Sequence, residues 1–204
     1  MTAILSTQDL VLRRDDTPET FDVGRGLTLL NTRRESDSTL LSLALAGRFR
    51  PHSGEILLDG EPSTTRQRFK QIALAGVSEI DSLDRLVRVR DVVREQIAWS
   101  QRFFQPVPHK AEAIKSHKNV EKWLEPLQLE DIDMQAEIGD IGPTDRFRLR
   151  ILLALISRPD AKLLIVDDID QVRKMDIRHK LLDDLRGVAV YLPVMVNTVN
   201  KEGL

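Results

Sequence analysis

The chain predicts an α/β fold, a mainly parallel sheet with a helical subdomain inserted between its strands. Three observations carry that prediction. Short apolar runs alternate with helical patterns along the sequence. One run, Leu163–Val166, is apolar at every position and ends in Asp167-Asp168, as expected of a parallel strand buried on both faces. The stretch from about residue 87 to 129 is helical by spacing and breaks the alternation in mid-chain.

Residues Ala3–Leu12 and Gly26–Asn31 read as strands, separated by the turn-forming residues Asp15, Asp16, Thr17 and Pro18. Ser38 to Arg48 reads as a helix, with Leu40, Leu41, Leu43, Ala44 and Leu45 on its apolar face and Ser38 placed to cap its start. Gly47 and Pro51 end it. Glu55–Leu58 is a strand closed by the Asp59-Gly60 turn, a hairpin signal. Ile72–Val77 is a further buried strand.

In the helical block Val89, Val92, Val93 and Ile97, then Ile114, Val120, Trp123, Leu124 and Leu127, recur at helical spacing. The run Gln105-Pro106-Val107-Pro108 interrupts them as a loop. Asp145–Ser157 is a helix ended by Arg158-Pro159, and Met175–Leu185 is another. Val188–Val196, with Pro193 inside it, reads as the last strand. The expected organisation is a single domain over residues 1–204, with the helical subdomain at about 85–150. No internal repeat or low-complexity segment is present.

A chain of 204 residues with 41% hydrophobic and 30% charged residues can bury a sizeable core. Aromatics make up 4%, so that core rests on Leu, Ile, Val and Ala. The 30 basic and 32 acidic residues leave a net charge of −2, which gives no electrostatic case for nucleic acid. The absence of cysteine excludes disulfide scaffolds, thiolate metal sites and cysteine nucleophiles, and suits a reducing compartment. Met1–Arg14 does not read as a signal peptide, and the longest apolar runs, Ile151–Ile156 and Val188–Val196, are far short of the ~20 residues that span a bilayer. The expected location is cytoplasmic, with no direct membrane insertion; any membrane association goes through a partner.

The order and spacing of the elements carry a resemblance. Leu29-Leu30-Asn31 to Thr39-Leu40-Leu41, then Leu45-Ala46-Gly47, Pro51, Ser53-Gly54 and Asp59-Gly60, resembles the strand, P-loop and helix of ABC transporter ATP-binding subunits and the motif "L-x-G-x-x-x-P-x-S-G-x-I-x-L-D-G" that follows them. Arg148–Ile156, Arg158-Pro159-Asp160 and Leu163–Asp168 look like that family's signature helix and Walker B strand. The resemblance runs from about residue 3 to 196. It implies a P-loop NTPase-type sheet with N-terminal antiparallel strands and an inserted helical subdomain.

The positions that should hold nucleotide depart from the pattern. A P-loop reads G-x-x-x-x-G-K-[ST], because bare backbone N–H groups must close around phosphates and a lysine must reach the terminal ones. Aligned on Ser38 and Thr39, the two glycines become Asn31 and Ser36, the further glycine usual in the family becomes Arg34, and the lysine becomes Asp37. Opposite charges about 4 Å apart attract by roughly 4 kcal/mol at an effective dielectric of about 20, so this reversal forfeits several kcal/mol toward polyphosphate. Arg33 and Arg34 could compensate if they fold inward; the simpler reading is solvated loop residues. Ser38 keeps the hydroxyl that ligates Mg²⁺ in such loops, although a serine near a helix start also serves as a cap.

The remaining positions agree. By resemblance Asp167 is the Walker B carboxylate that holds Mg²⁺ through water, and Asp168 takes the place of the catalytic glutamate that would polarise the attacking water, one methylene shorter. An Asp pair at a strand end can also be a solvated turn. The signature L-S-G-G-Q appears as Ile141-Gly142-Pro143-Thr144-Asp145, leaving Gly142 and Thr144 at the start of what is otherwise a good helix N-terminus. The glutamine that couples to the membrane subunit aligns with Glu79. The turn that should read S-A-L-D is Gln171-Val172-Arg173-Lys174, no histidine follows the last strand, and Phe21 is better placed for the core than for stacking on adenine.

Loss of phosphate cradle, lysine, signature and histidine together implies that the fold has outlived ATP turnover. The leading expectation is a pseudo-ATPase with no cofactor, docked on a membrane-spanning transporter-like subunit, a second ABC ATPase subunit, or both. The docking surface would lie around Glu79 to Ile97, where Arg85, Arg88, Arg90 and Arg94 alternate with Asp81, Asp84, Asp91 and Glu95; such a run is also what a solvated helical face looks like. The alternative is an ATPase that binds Mg-ATP only in a composite complex through Ser38, Asp167 and Asp168. A scaffold with no link to transport is a third reading.

Overall fold

The computed structural model describes residues 3–32, 35–77, 82–172 and 174–198, and for 35–37 the backbone alone. Two four-stranded sheets organise them. The first is antiparallel, in the order β2-β1-β4-β5, from β1 (Leu5–Val11), β2 (Glu19–Val23), β4 (Ser53–Leu58) and β5 (Glu61–Pro62). The second is parallel, in the order β3-β8-β7-β6, from β3 (Leu27–Asn31), β6 (Ile72–Ala75), β7 (Leu163–Val166) and β8 (Val194–Thr198).

The parallel strands separate two hydrophobic cores, and their period of two decides which side chain goes where. Ile72, Leu74, Leu163, Ile165 and Met195 face α1 (Glu35–Leu45) and the antiparallel sheet. Ala73, Ala75, Leu164, Val166, Val194 and Val196 face the opposite way, onto the helices. Those are α3 (Val89–Ser100), α4 (Ala111–Lys115), α5 (Lys118–Leu124) and α6 (Pro143–Ser157), inserted between β6 and β7, and α7 (Met175–Ala189). α2 (Thr65–Gln71) leads into β6.

The α/β class, the antiparallel N-terminal strands and the inserted helices are therefore as the sequence predicts. Four local expectations change. β2 forms beyond the Asp15–Pro18 turn, with Phe21 partly buried against the core. α2 is short and polar, but Thr64 and Gln67 form a capping box in which Gln67 N donates to Thr64 Oγ1 and Thr64 N donates to Gln67 Oε1. The first helix begins at Glu35, three residues before Ser38, so Ser38 is not its cap.

The fourth change is at the last strand. Val188 belongs to α7, residues 190–192 turn, and β8 starts only at Val194. Pro193 explains the correction: it lacks an N–H for the ladder and sits at the strand entrance, where its carbonyl accepts from Leu164 N.

Gly76 follows β6 with φ +89°, where L side chains are strained. A Cβ there would lie 2.1 Å from the Asp167 carbonyl oxygen, backbone that cannot yield cheaply. Gly60 has a similar φ of +83° in the β4–β5 turn but open space around it. Gly76→Ala is expected to cost more than about 2 kcal/mol and Gly60→Ala about 1 kcal/mol, compared by urea denaturation.

Candidate functional site

Ligands of open parallel sheets sit at the carboxyl ends of the strands, and there the predicted residues converge. Asp167 directly follows β7 and is fully buried, its N–H donating to Ala75 O at 2.8 Å. Alternation from Ile165 turns its carboxylate toward α1. Ser38 Oγ donates to Oδ1 at 2.9 Å, Ser42 Oγ to the same oxygen at 2.8 Å, and Thr39 Oγ1 to Oδ2 at 2.6 Å. From β8, Asn197 Nδ2 donates to Ser42 Oγ at 2.6 Å and to Ser38 O at 3.4 Å. Both carboxylate oxygens are thus engaged by hydroxyls of one helix, within a cluster that also ties in the neighbouring strand.

Ser38, Thr39 and Asp167 come together as the sequence suggests, and a solvated turn at Asp167 is ruled out by its burial. Asp168 is adjacent in sequence but adopts left-handed backbone (φ 45°, ψ 54°) and leads into a turn of 3₁₀ helix, Ile169–Gln171. Asn31 ends β3 and is exposed. Ser36 and Asp37 lie in the first turn of α1, and their side chains fall outside the described residues, as do Arg33, Arg34 and Glu79.

Ser42 and Asn197 were not read from the sequence. Two signals point to them: Ser42 lies one turn beyond Ser38 on the same face, and Asn197 is two residues past Met195 on the face toward α1.

A second buried cluster braces the turn after β7. Asp170 pairs with Arg178 of α7 at 3.0 Å, both side chains nearly inaccessible, and Thr198 Oγ1 donates to Asp170 Oδ1 at 3.1 Å. Arg178 Nη2 also donates to Val172 O at 3.1 Å. Removing either charge would strand the other in the interior.

Gly142 and Thr144 occupy the start of α6, apart from this network. Gly142 is the cap residue and makes no side-chain capping bond; Pro143 is the first helical residue. Asp145, in the first turn, pairs with Arg148 at 3.0 Å, and Arg148 Nε donates to Asp184 of α7 at 2.8 Å. Burial pushes the Asp184 carboxyl above the usual carboxylate range; Arg148 pulls against that, and Asp183 and Asp145 add to it.

Set against known proteins, the chain has the fold of an ABC-transporter ATP-binding cassette. CbiO1 from Clostridium perfringens, part of the ABC transporter complex cbiONQ, superimposes with a TM-score of 0.77 at 16% identity, covering 100% of this chain and 81% of that one. In sequence it is similar to ATP-binding proteins of transport systems. The ribose import ATP-binding protein RbsA of Corynebacterium glutamicum is 28% identical over 178 residues, covering 82% of this chain and 31% of that protein. The Nod factor export ATP-binding protein I of Rhizobium meliloti is 28% identical over 169 residues, covering 83% and 47%. The chain therefore spans less than half the length of these curated relatives. No protein-family model matches it.

Among the described residues no helix is long and apolar enough to cross a membrane.

Two tests address the clusters. Asp167→Ala leaves three hydroxyls without their acceptor and is expected to lose about 3 kcal/mol in urea denaturation. A folded-state carboxyl raised above its unfolded value contributes stability that is present at low pH and fades as pH rises through the raised value. Asp184→Asn should therefore flatten the stability–pH profile over the span between the ordinary carboxylate value and the raised one, measured by thermal melting at stepped pH.

Proposed function

We propose that the chain is a pseudo-ATPase, an ABC-cassette module that binds a protein partner rather than turning over ATP. One observation carries this reading: the positions that should cradle phosphate carry a reversed charge and no glycine, beside a polar cluster already bonded within itself. Asp167 accepts from Ser38, Thr39 and Ser42 in a fully buried site. Ser38 donates its proton to Asp167 and keeps its oxygen lone pairs; it is the residues beside this pair that do not fit the triphosphate that would bring Mg²⁺. Asp37 stands where an ammonium should face phosphate, and neither Asn31 nor Ser36 offers glycine's open backbone. These residue types support a chain that does not take Mg-ATP.

The partner reading is supported by exposed apolar side chains on α3 and in the segments that flank it. Trp99 and Phe104 are 78% and 80% exposed and Phe103 is fully so, three aromatics within six residues of an aromatic-poor chain. Leu86, also largely exposed, lies in the 79–97 surface, where Val89, Val93 and Ile97 are core and, among the described residues, Asp84, Arg85, Arg88, Asp91 and Glu95 are exposed. The partner would be a membrane-spanning transporter-like subunit, a second ABC ATPase subunit, or both, placing the module at the cytoplasmic side of a membrane.

A second reading is favoured by the contact between Ser38 and Asp167, the pair a magnesium site would use. In it the chain contributes to a composite ATPase, and Asp168→Asn would lower turnover of the assembled complex. Isothermal titration separates the two. With millimolar Mg-ATP, no saturable heat is expected from the purified chain; micromolar binding would defeat the pseudo-ATPase reading.

A further inference from the structure

Where α6 begins, a cleft of about 580 Å³ opens between the segment leading into α3, the first turns of α6 and the loop entering α7. Four cations line it: Arg85, Arg146, Arg150 and Lys174. No carboxylate does, in a chain that carries more acids than bases. Of the acids beside lining residues in sequence, Asp145 is paired with Arg148, Asp170 with Arg178, and Asp84 accepts from Leu86 N; Asp176 is exposed. Among the described residues none of the four cations is ion-paired.

Two of the cations are held in place by neutral groups. Arg146 Nη1 donates to the carbonyls of Ile138, Gly139 and Ile141 at 3.3, 3.3 and 2.8 Å. Arg150 Nη1 donates to Gln171 Oε1 at 3.0 Å. Their charge is fixed without being neutralised, which lowers the ordering cost of binding an anion. Between them the cleft wall is apolar: Phe147, Val172 and Ile177.

We infer that this cleft docks an acidic, partly apolar peptide segment of a partner protein. Carboxylates would meet the four cations, and apolar side chains between them would cover the half-buried Val172 and Ile177. A small inorganic anion would fill a small part of the volume and leave the apolar wall wet. Nucleic acid would find no stacking platform, since Phe147, the only aromatic in the lining, is buried. The inference rests on the proposed role as a binding module for a protein and adds the chemistry of that protein.

The probe is a fluorescein-labelled glutamate–tyrosine copolymer, titrated with the full chain and followed by anisotropy. Saturable binding is expected, weakened by salt and about tenfold by Lys174→Glu. Arg150→Glu should weaken it at least as much, with circular dichroism confirming that each variant is folded. Lys70→Glu, the same charge change on α2 outside the cleft, should leave it unchanged.

Absence of saturable binding would overturn the inference. So would equal losses in Lys70→Glu, binding insensitive to both cleft variants, displacement by equimolar pyrophosphate, or stronger binding of a single-stranded oligonucleotide. Calorimetry with Mg-ATP on the same protein keeps the two proposals apart. Nucleotide binding with copolymer binding intact removes the pseudo-ATPase reading and leaves the cleft. No binding of either ligand removes the cleft and leaves that reading.

Discussion

The carboxylate of Asp167 sits at the point where β7, β8 and α1 meet, and the arrangement of the sheet edge depends on how its charge is accommodated. A buried carboxylate costs several kcal/mol unless donors surround it. Here three hydroxyls come from one face of α1, so the carboxylate can be solvated only if that helix packs in one register against the parallel sheet. Asn197 extends the bonding to β8 through Ser42. Gly76 makes room at the same place, since only a residue without Cβ lets the chain leaving β6 pass against the Asp167 carbonyl.

Next to this cluster the turn after β7 is held by Asp170, Arg178 and Thr198, and α6 is held to α7 by Arg148 and Asp184. At Asp167 and at Asp170 polar groups at the carboxyl end of the sheet, where this architecture places ligands, make bonds to the protein itself. The energetic consequence is a rigid edge whose charges are largely spent. The exception is the cleft at the start of α6, where positive charge is fixed but not cancelled. The proposed role as a protein-binding module draws on both features, the altered phosphate-facing positions and this basic cleft.

Much of the fold was legible in the sequence. Leu163–Val166 announced a doubly buried strand because every position must be apolar when both faces are covered, and the structure gives that strand those bounds. The inserted helices followed from spacing. Short elements did not follow: β2 has only one fully buried residue, and α2 is polar enough that only its Thr64–Gln67 cap marks it. The last strand was displaced because the apolar residues of 188–196 suit a buried helix end as well as a buried strand, and composition cannot choose between them.

At the candidate site the sequence by itself determined which residue types stand at the phosphate-facing positions: Asp37 in place of lysine, and Asn31 and Ser36 in place of glycine. Those are facts of residue type, and type is readable without coordinates. Tertiary structure alone decided what the surviving polar residues do. That Asp167 is fully buried, that Ser42 and Asn197 join it, and that four cations from three separate segments share one cleft depends on strands and helices distant in sequence coming into register. Hydrogen bonds and charge compensation act over a few ångströms in space, and chain spacing does not encode that distance.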